Sequence, residues 1–114
     1  MKRPVTIKKN HEFRRLYAKG RSAASPRLVI YCRRNNLAVS RLGITVSTKI
    51  GKAVTRNRVR RRFREIFRLS EDRLAPGWDI IMVARTKSVT SEYSLLRDDF
   101  YALAKKLGVL RREA

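Results

Sequence analysis

The chain has 114 residues, 43% of them hydrophobic, with 29 Lys and Arg against 9 Asp and Glu and a formal net charge of +20. That apolar share excludes a disordered basic tail, and the length allows one domain, residues 1–114, around one modest core. A single cysteine excludes an intrachain disulfide, and a single histidine beside it excludes a zinc site of the usual kind.

No secretory apolar segment follows Met1-Lys2-Arg3 and no apolar run is long enough to span a bilayer, so a cytoplasmic protein with no membrane partner is expected. Asn10 is expected to cap a first helix, with Glu12 in its first turn and Gly20 past its end. Phe13, Leu16 and Tyr17, at i, i+3 and i+4, form its apolar stripe. Residues 28–34 alternate as a strand, with Leu28, Ile30 and Cys32 on one face and Val29, Tyr31 and Arg33 on the other. Arg34-Asn35-Asn36 supplies a turn, and residues 41–48 form a second strand with Leu42, Ile44 and Val46 facing the core.

Gly51 then breaks the chain, and Thr55 is expected to cap a helix that runs to about Leu69. After the Ala75-Pro76-Gly77 turn, residues 78–84 form a strand that is apolar on both faces and therefore central or well covered. Thr90 or Ser91 is expected to cap a last helix with Tyr93, Leu96, Phe100, Leu103 and Leu107 as its core stripe and Gly108 at its end. Strand, helix, strand between residues 41 and 84 is a βαβ unit, so part of the sheet should be parallel. The fold class is thus α/β (α+β): a two-layer sandwich with helices packed on a mixed sheet.

The charge is unevenly placed. Residues 1–70 carry 21 Lys and Arg against only Glu12 and Glu65, whereas residues 71–114 carry 8 against 7 acids. A polyanionic partner should therefore bind the first two thirds. As an enzyme acting alone the chain looks empty: it has no nucleophile with a base, no phosphate loop with its lysine, and no carboxylate cluster. Asp98 and Asp99 diverge by about 100° on a helix, cannot readily share a metal, and should solvate its outer face. His11 reads as a solvated residue at a helix start, and Cys32 as a small core residue. No cofactor is expected on the protein itself.

The most informative stretch is residues 49–68. Lys49, Lys52, Arg56, Arg58, Arg60, Arg61, Arg62, Arg64 and Arg68 face one acid, Glu65, while Val59, Phe63, Ile66 and Phe67 recur at i, i+4, i+7 and i+8. This is a folded helix with an arginine surface: Arg61, Arg64 and Arg68 lie opposite the apolar stripe, and Arg58, Arg60 and Arg62 flank it. Arg56 and Arg58 are expected in the first turn, where each cation costs a few tenths to about 1 kcal/mol. A phosphate there reverses the sign. Arginine forks donate bidentately to phosphate, and a rigid array of them suits structured nucleic acid. The aromatic residues leave two readings open. Phe13 and Tyr17 either pack the first helix down or, with Tyr31 and the basic edge at Arg33, line a groove for a single strand. An RNA chaperone or ribosomal protein remains an alternative; a DNA-binding helix-turn-helix is disfavoured, because strands flank the arginine helix and leave no helix directly before it to form the motif.

Lys49, Gly51, Ala53-Val54, Arg56-Asn57-Arg58, Arg60-Arg61 and Arg64-Glu65-Ile66-Phe67 closely resemble the "RNR" motif of the protein subunit of bacterial ribonuclease P. Arg41 to Ser47, Lys9 to Phe13 with Tyr17 and Gly20, and Asp79-Ile80-Ile81 after Pro76-Gly77 are similar to further segments of that family. The resemblance implies a left-handed βαβ crossover, against the usual preference. It implies that a catalytic RNA subunit and its Mg²⁺ remove the 5′ leader from precursor tRNA by hydrolysis, and that the protein alone is inactive. The implied partners are that RNA and precursor tRNA; no protein oligomer is implied. By position, Arg56, Asn57, Arg58, Arg60, Arg61 and Arg64 would face the RNA subunit, with Lys52 and Arg68 extending the same basic surface. Phe13, Tyr17 and Tyr31 would line the leader groove, with Arg33 at its edge.

Overall fold

A computed structural model describes residues 4–111. Three helices, α1 (Asn10–Lys19), α2 (Ala53–Ser70) and α3 (Tyr93–Leu107), accompany four strands, β1 (Arg21–Ala24), β2 (Leu28–Arg34), β3 (Arg41–Thr45) and β4 (Trp78–Ala84). The strands form one sheet in the order β1-β2-β4-β3. β1 pairs antiparallel with β2 and β2 antiparallel with β4, while β3 lies parallel to β4. The expected βαβ unit is therefore β3-α2-β4, and the sheet is mixed.

Strand alternation decides what each face covers. Leu28, Ile30, Cys32, Leu42, Ile80 and Met82 are buried together with Val59, Phe63, Ile66 and Phe67 of α2 and Leu96, Phe100, Leu103 and Leu107 of α3. Phe63, Phe67 and Phe100 are fully enclosed; burying one such side chain contributes about 1.5–3 kcal/mol. Burial also pushes the Cys32 thiol up, so this residue is a core filler rather than a nucleophile. On the opposite face, Ile7, Leu16 and Ile81 form a second, smaller core, with Phe13, Tyr31 and Val83 packed against it. α1 thus crosses the outer face of the sheet and leaves part of it bare.

Gly43 makes this crossing possible. A Cβ there would stand 2.8 and 2.9 Å from carbons of the Phe13 ring and 3.3 Å from Ile81. Gly43→Ala should force the ring or the helix outward and cost about 1–3 kcal/mol, read as a lowered melting temperature. The first turn of α1 is fixed separately. Arg41 donates to both oxygens of Asp79, Nε–Oδ1 at 2.9 Å and Nη2–Oδ2 at 2.7 Å, and to Glu12 Oε2 at 2.7 Å.

Several boundaries differ from expectation. Asn10 is the first residue of α1 rather than its cap; extended Lys9 precedes it, without a side-chain cap bond. α2 begins at Ala53, with Lys52 before it, so Thr55 lies inside the first turn. The cause is the tight turn Thr48–Ile50, anchored by buried Ile50, followed by Gly51 at φ 153, which redirects the chain early. That turn also ends β3 at Thr45, three residues short of the expected strand end. α3 starts after Glu92, not at Thr90 or Ser91, because the Ser91 hydroxyl is committed elsewhere: it donates to Lys87 O and accepts from Arg27 Nε. Asp99 does more than solvate α3. It accepts from Ser25 Oγ at 2.8 Å and Arg27 Nη1 at 3.3 Å, tying α3 to the β1–β2 turn, while Asp98 points into solvent. His11 is exposed, as expected.

Candidate nucleic-acid interface

α2 turns Val59, Phe63, Ile66 and Phe67 inward, so its other side must face solvent. At 3.6 residues per turn, Asn57, Arg61, Arg64 and Arg68 run down that side in one stripe. Burial leaves Asn57, Arg58, Arg61 and Arg64 exposed and Arg56, Arg60, Arg62 and Arg68 half-buried.

Hydrogen bonding divides the cations into two groups. Arg56 Nε donates to Gly51 O at 3.1 Å, and Arg60 Nη1 to Asn57 Oδ1 at 3.0 Å. Arg62 Nη2 donates to Ser91 O at 2.8 Å, which fastens α2 to the start of α3. Burial, reinforced by the neighbouring Arg58, holds the Arg62 guanidinium below its ordinary pKa. Arg68 forks onto Glu65, at 3.2 and 2.6 Å. The fork holds the Glu65 carboxyl below the usual carboxylate range. Arg58, Arg61 and Arg64 have no acid partner among the described residues. Within α2, these three are the arginines that folding does not use.

The helix start carries no acid in its first turn. Because α2 begins at Ala53, Lys52 and Arg56 meet the positive end of the helix dipole, and Arg58 moves to the second turn, contrary to expectation. An anion near Lys52 would relieve that repulsion.

The rings gather on the outer face of the sheet. Tyr17 and Tyr31 stand edge to face with centroids 4.9 Å apart, and Phe13 lies 6.5 Å from Tyr17. The Tyr17 hydroxyl and Thr45 Oγ1 are 2.6 Å apart. Tyr17 is 38% exposed, whereas Phe13 and Tyr31 are half-buried and Phe13 sits over Gly43. Phe13 thus packs the helix down, while exposed Tyr17 stands beside half-buried Tyr31. Sheet register puts Val29, Val83 and Thr45 in the next row. Thr45 ends β3, and only residues 46–52 separate it from α2, so the ring surface and the basic start of α2 share one end of the sheet.

Arg33 does not join the rings. It shares a row with Asp79 and Arg41 and lines a separate hollow with Glu12, Arg15 and Arg34. Sequence alternation gave its face correctly but not its neighbours, because α1 crosses between. Among the described residues, no three His, Cys, Asp or Glu side chains gather as metal ligands.

The family model for ribonuclease P matches residues 1–108, which takes in the whole sheet and all three helices. This chain belongs to the ribonuclease P protein family. It is 38% identical over 112 residues to the ribonuclease P protein component of Natranaerobius thermophilus, covering 98% of this chain and 97% of that one. The solved structure of the Staphylococcus aureus RNase P protein superposes with a TM-score of 0.84 at 34% identity, over 93% of this chain and 97% of that chain. The RNase P protein of Thermotoga maritima gives 0.82 at 30% identity, over 89% and 96%. The family's matched span contains the arginine stripe and the ring surface in full.

Proposed function

We propose that this chain is the protein component of a ribonuclease P ribonucleoprotein and serves 5′ leader removal from precursor tRNA together with a catalytic RNA subunit. Arg56, Asn57, Arg58, Arg60, Arg61 and Arg64 of α2 bind the RNA subunit, with Lys52 and Arg68 at the ends of that surface. Phe13, Tyr17 and Tyr31 hold the single-stranded leader. The protein lowers the repulsion between two polyanions and fixes the leader's path; the RNA subunit and its Mg²⁺ hydrolyse the phosphodiester.

The observation that carries this reading is that, in a chain of this family, Arg58, Arg61 and Arg64 are exposed and have no acid partner. An unpaired arginine stripe is of no use to folding and suits phosphate. The donor set supports leaving Mg²⁺ to the RNA. Glu12 and Asp79 are held by Arg41, Asp99 by Arg27, and Glu65 by Arg68. With these four carboxylates committed to arginines and no three possible ligands gathered among the described residues, the chain is poorly suited to hold the metal.

Reconstitution tests the reading. The protein, a bacterial ribonuclease P RNA and precursor tRNA at physiological Mg²⁺ should yield the mature 5′ end. The protein alone should yield none at any Mg²⁺ concentration. Specific 5′ maturation by RNA-free protein would sink it.

A further inference from the structure

The hollow beside Arg33 is left over once the leader groove and the arginine helix are accounted for. It measures about 200 Å³, and four arginines (Arg15, Arg33, Arg34 and Arg41) line it against two carboxylates, Glu12 and Asp79. Both carboxylates are already spoken for. Arg41 takes the two oxygens of Asp79 and one of Glu12, each within 2.9 Å, and Asn35 Nδ2 donates to Asp79 at 2.9 Å. The Arg34 guanidinium carbon lies 5.1 Å from the centre of the Trp78 ring, a cation–π contact. The side chains of Arg15 and Arg33 make neither a hydrogen bond nor an ion pair to any described residue, although Arg33 is half-buried on β2. A partly desolvated guanidinium without an acceptor is unfavourable. Folding alone gives no reason to hold Arg33 that way with exposed Arg15 and Arg34 beside it.

The place is distinct from the ring surface. On α1, Arg15 and Tyr17 lie on either side of buried Leu16, about 100° from it in each direction. Tyr17 reaches Thr45, while Arg15 opens onto the hollow with Arg33. We propose that Arg15, Arg33 and Arg34 form a second anion seat, which takes an RNA backbone phosphate on the flank of α1 opposite the rings. The proposal rests on the reading of the chain as an RNA-binding subunit. A phosphate in the hollow would accept from Arg34 and from the forks of Arg15 and Arg33, which have no acceptor among the described residues, and Arg41, saturated by its two acids, would remain the floor that sets the tilt of α1. The phosphate belongs either to the RNA subunit or to precursor tRNA.

The test uses the reconstituted holoenzyme. The double variant Arg15→Gln with Arg33→Gln is compared with Lys105→Gln with Lys106→Gln, which removes the same charge from exposed positions on α3. Affinities for the RNA subunit, precursor tRNA and mature tRNA are measured across a salt series. The arginine variant should lose about tenfold in affinity for one of these RNAs. Its slope of log K against log salt should fall by roughly 0.7–0.9 for each phosphate released. Loss against the RNA subunit assigns the phosphate to that molecule. Equal loss against precursor and mature tRNA assigns it to the tRNA body, and loss against precursor alone assigns it to the leader. The lysine variant should leave all slopes unchanged. If the arginine variant fails to fold, Arg33→Lys substitutes for it: this keeps the charge, removes the fork, and should lose affinity several-fold at constant slope. Arginine variants indistinguishable from the lysine control in every affinity and slope would overturn the seat. Wild-type protein that binds no RNA would instead overturn the function on which it rests.

Discussion

Phe63→Ala should lower the melting temperature far more than Arg61→Ala does. Phe63 is fully enclosed between α2 and the sheet, and removing such a ring costs roughly 3–5 kcal/mol, most of it cavity. A domain of this size has about 5–15 kcal/mol in total, so the melting temperature should fall by roughly 10 °C or more. Arg58 and Arg61 differ in kind. They are exposed and pair with no acid among the described residues, so truncating either should change stability by no more than about 0.5 kcal/mol. Their effect should appear in RNA binding, as weaker affinity and a salt slope reduced by about one for each lost phosphate contact. Arg62 separates the two behaviours. It donates to Ser91 O, so Arg62→Ala should lower the melting temperature while moving the salt slope least. If Arg58→Ala and Arg61→Ala act only by lowering the melting temperature, α2 is a structural helix and its assignment to RNA fails.

The same contrast explains what could be read from residues alone. Periodicity located β2, β4 and the three helices, because burial imposes a strict spacing on Leu28, Ile30 and Cys32 or on Val59, Phe63 and Ile66. β1 escaped because Arg-Ser-Ala-Ala contains no β-branched or aromatic residue; it is a strand only because β2 offers it an edge. The starts of α2 and α3 depart from the capping pattern at Thr55 and at Thr90 or Ser91 for one shared reason. A capping side chain is a local preference, and buried Ile50 or the Ser91–Arg27 bond outweighs it. On α2, spacing told which arginines face water but not which have partners. Arg68 and Arg62 lie on a cationic helix like their neighbours, yet one forks onto Glu65 and the other fastens α3. Those distinctions depend on tertiary neighbours that no helical pattern encodes.

Replacing Tyr17 or Tyr31 with Ala should weaken holoenzyme binding of precursor tRNA by about tenfold, because each stacked base contributes about 1–3 kcal/mol. Mature tRNA lacks the leader and should bind almost as before, and affinity for the RNA subunit should hold. Tyr17 is the cleaner site, being 38% exposed, whereas Tyr31 also packs against the small core beneath α1. Phe13→Ala should behave differently from both. Its ring fills the space over Gly43, so its loss should appear first in the melting curve. Tyr17→Phe isolates the remaining contribution: it keeps the ring and removes the hydroxyl that meets Thr45. Should stacking dominate, that variant will bind precursor tRNA like the wild type, because an exposed hydrogen bond contributes little to stability and nothing to the face of the ring. The deciding quantity is the ratio of precursor to mature tRNA affinity in variants that still melt cooperatively. A ratio unchanged in both Tyr17→Ala and Tyr31→Ala would mean that the rings serve only to seat α1 and that the leader runs elsewhere.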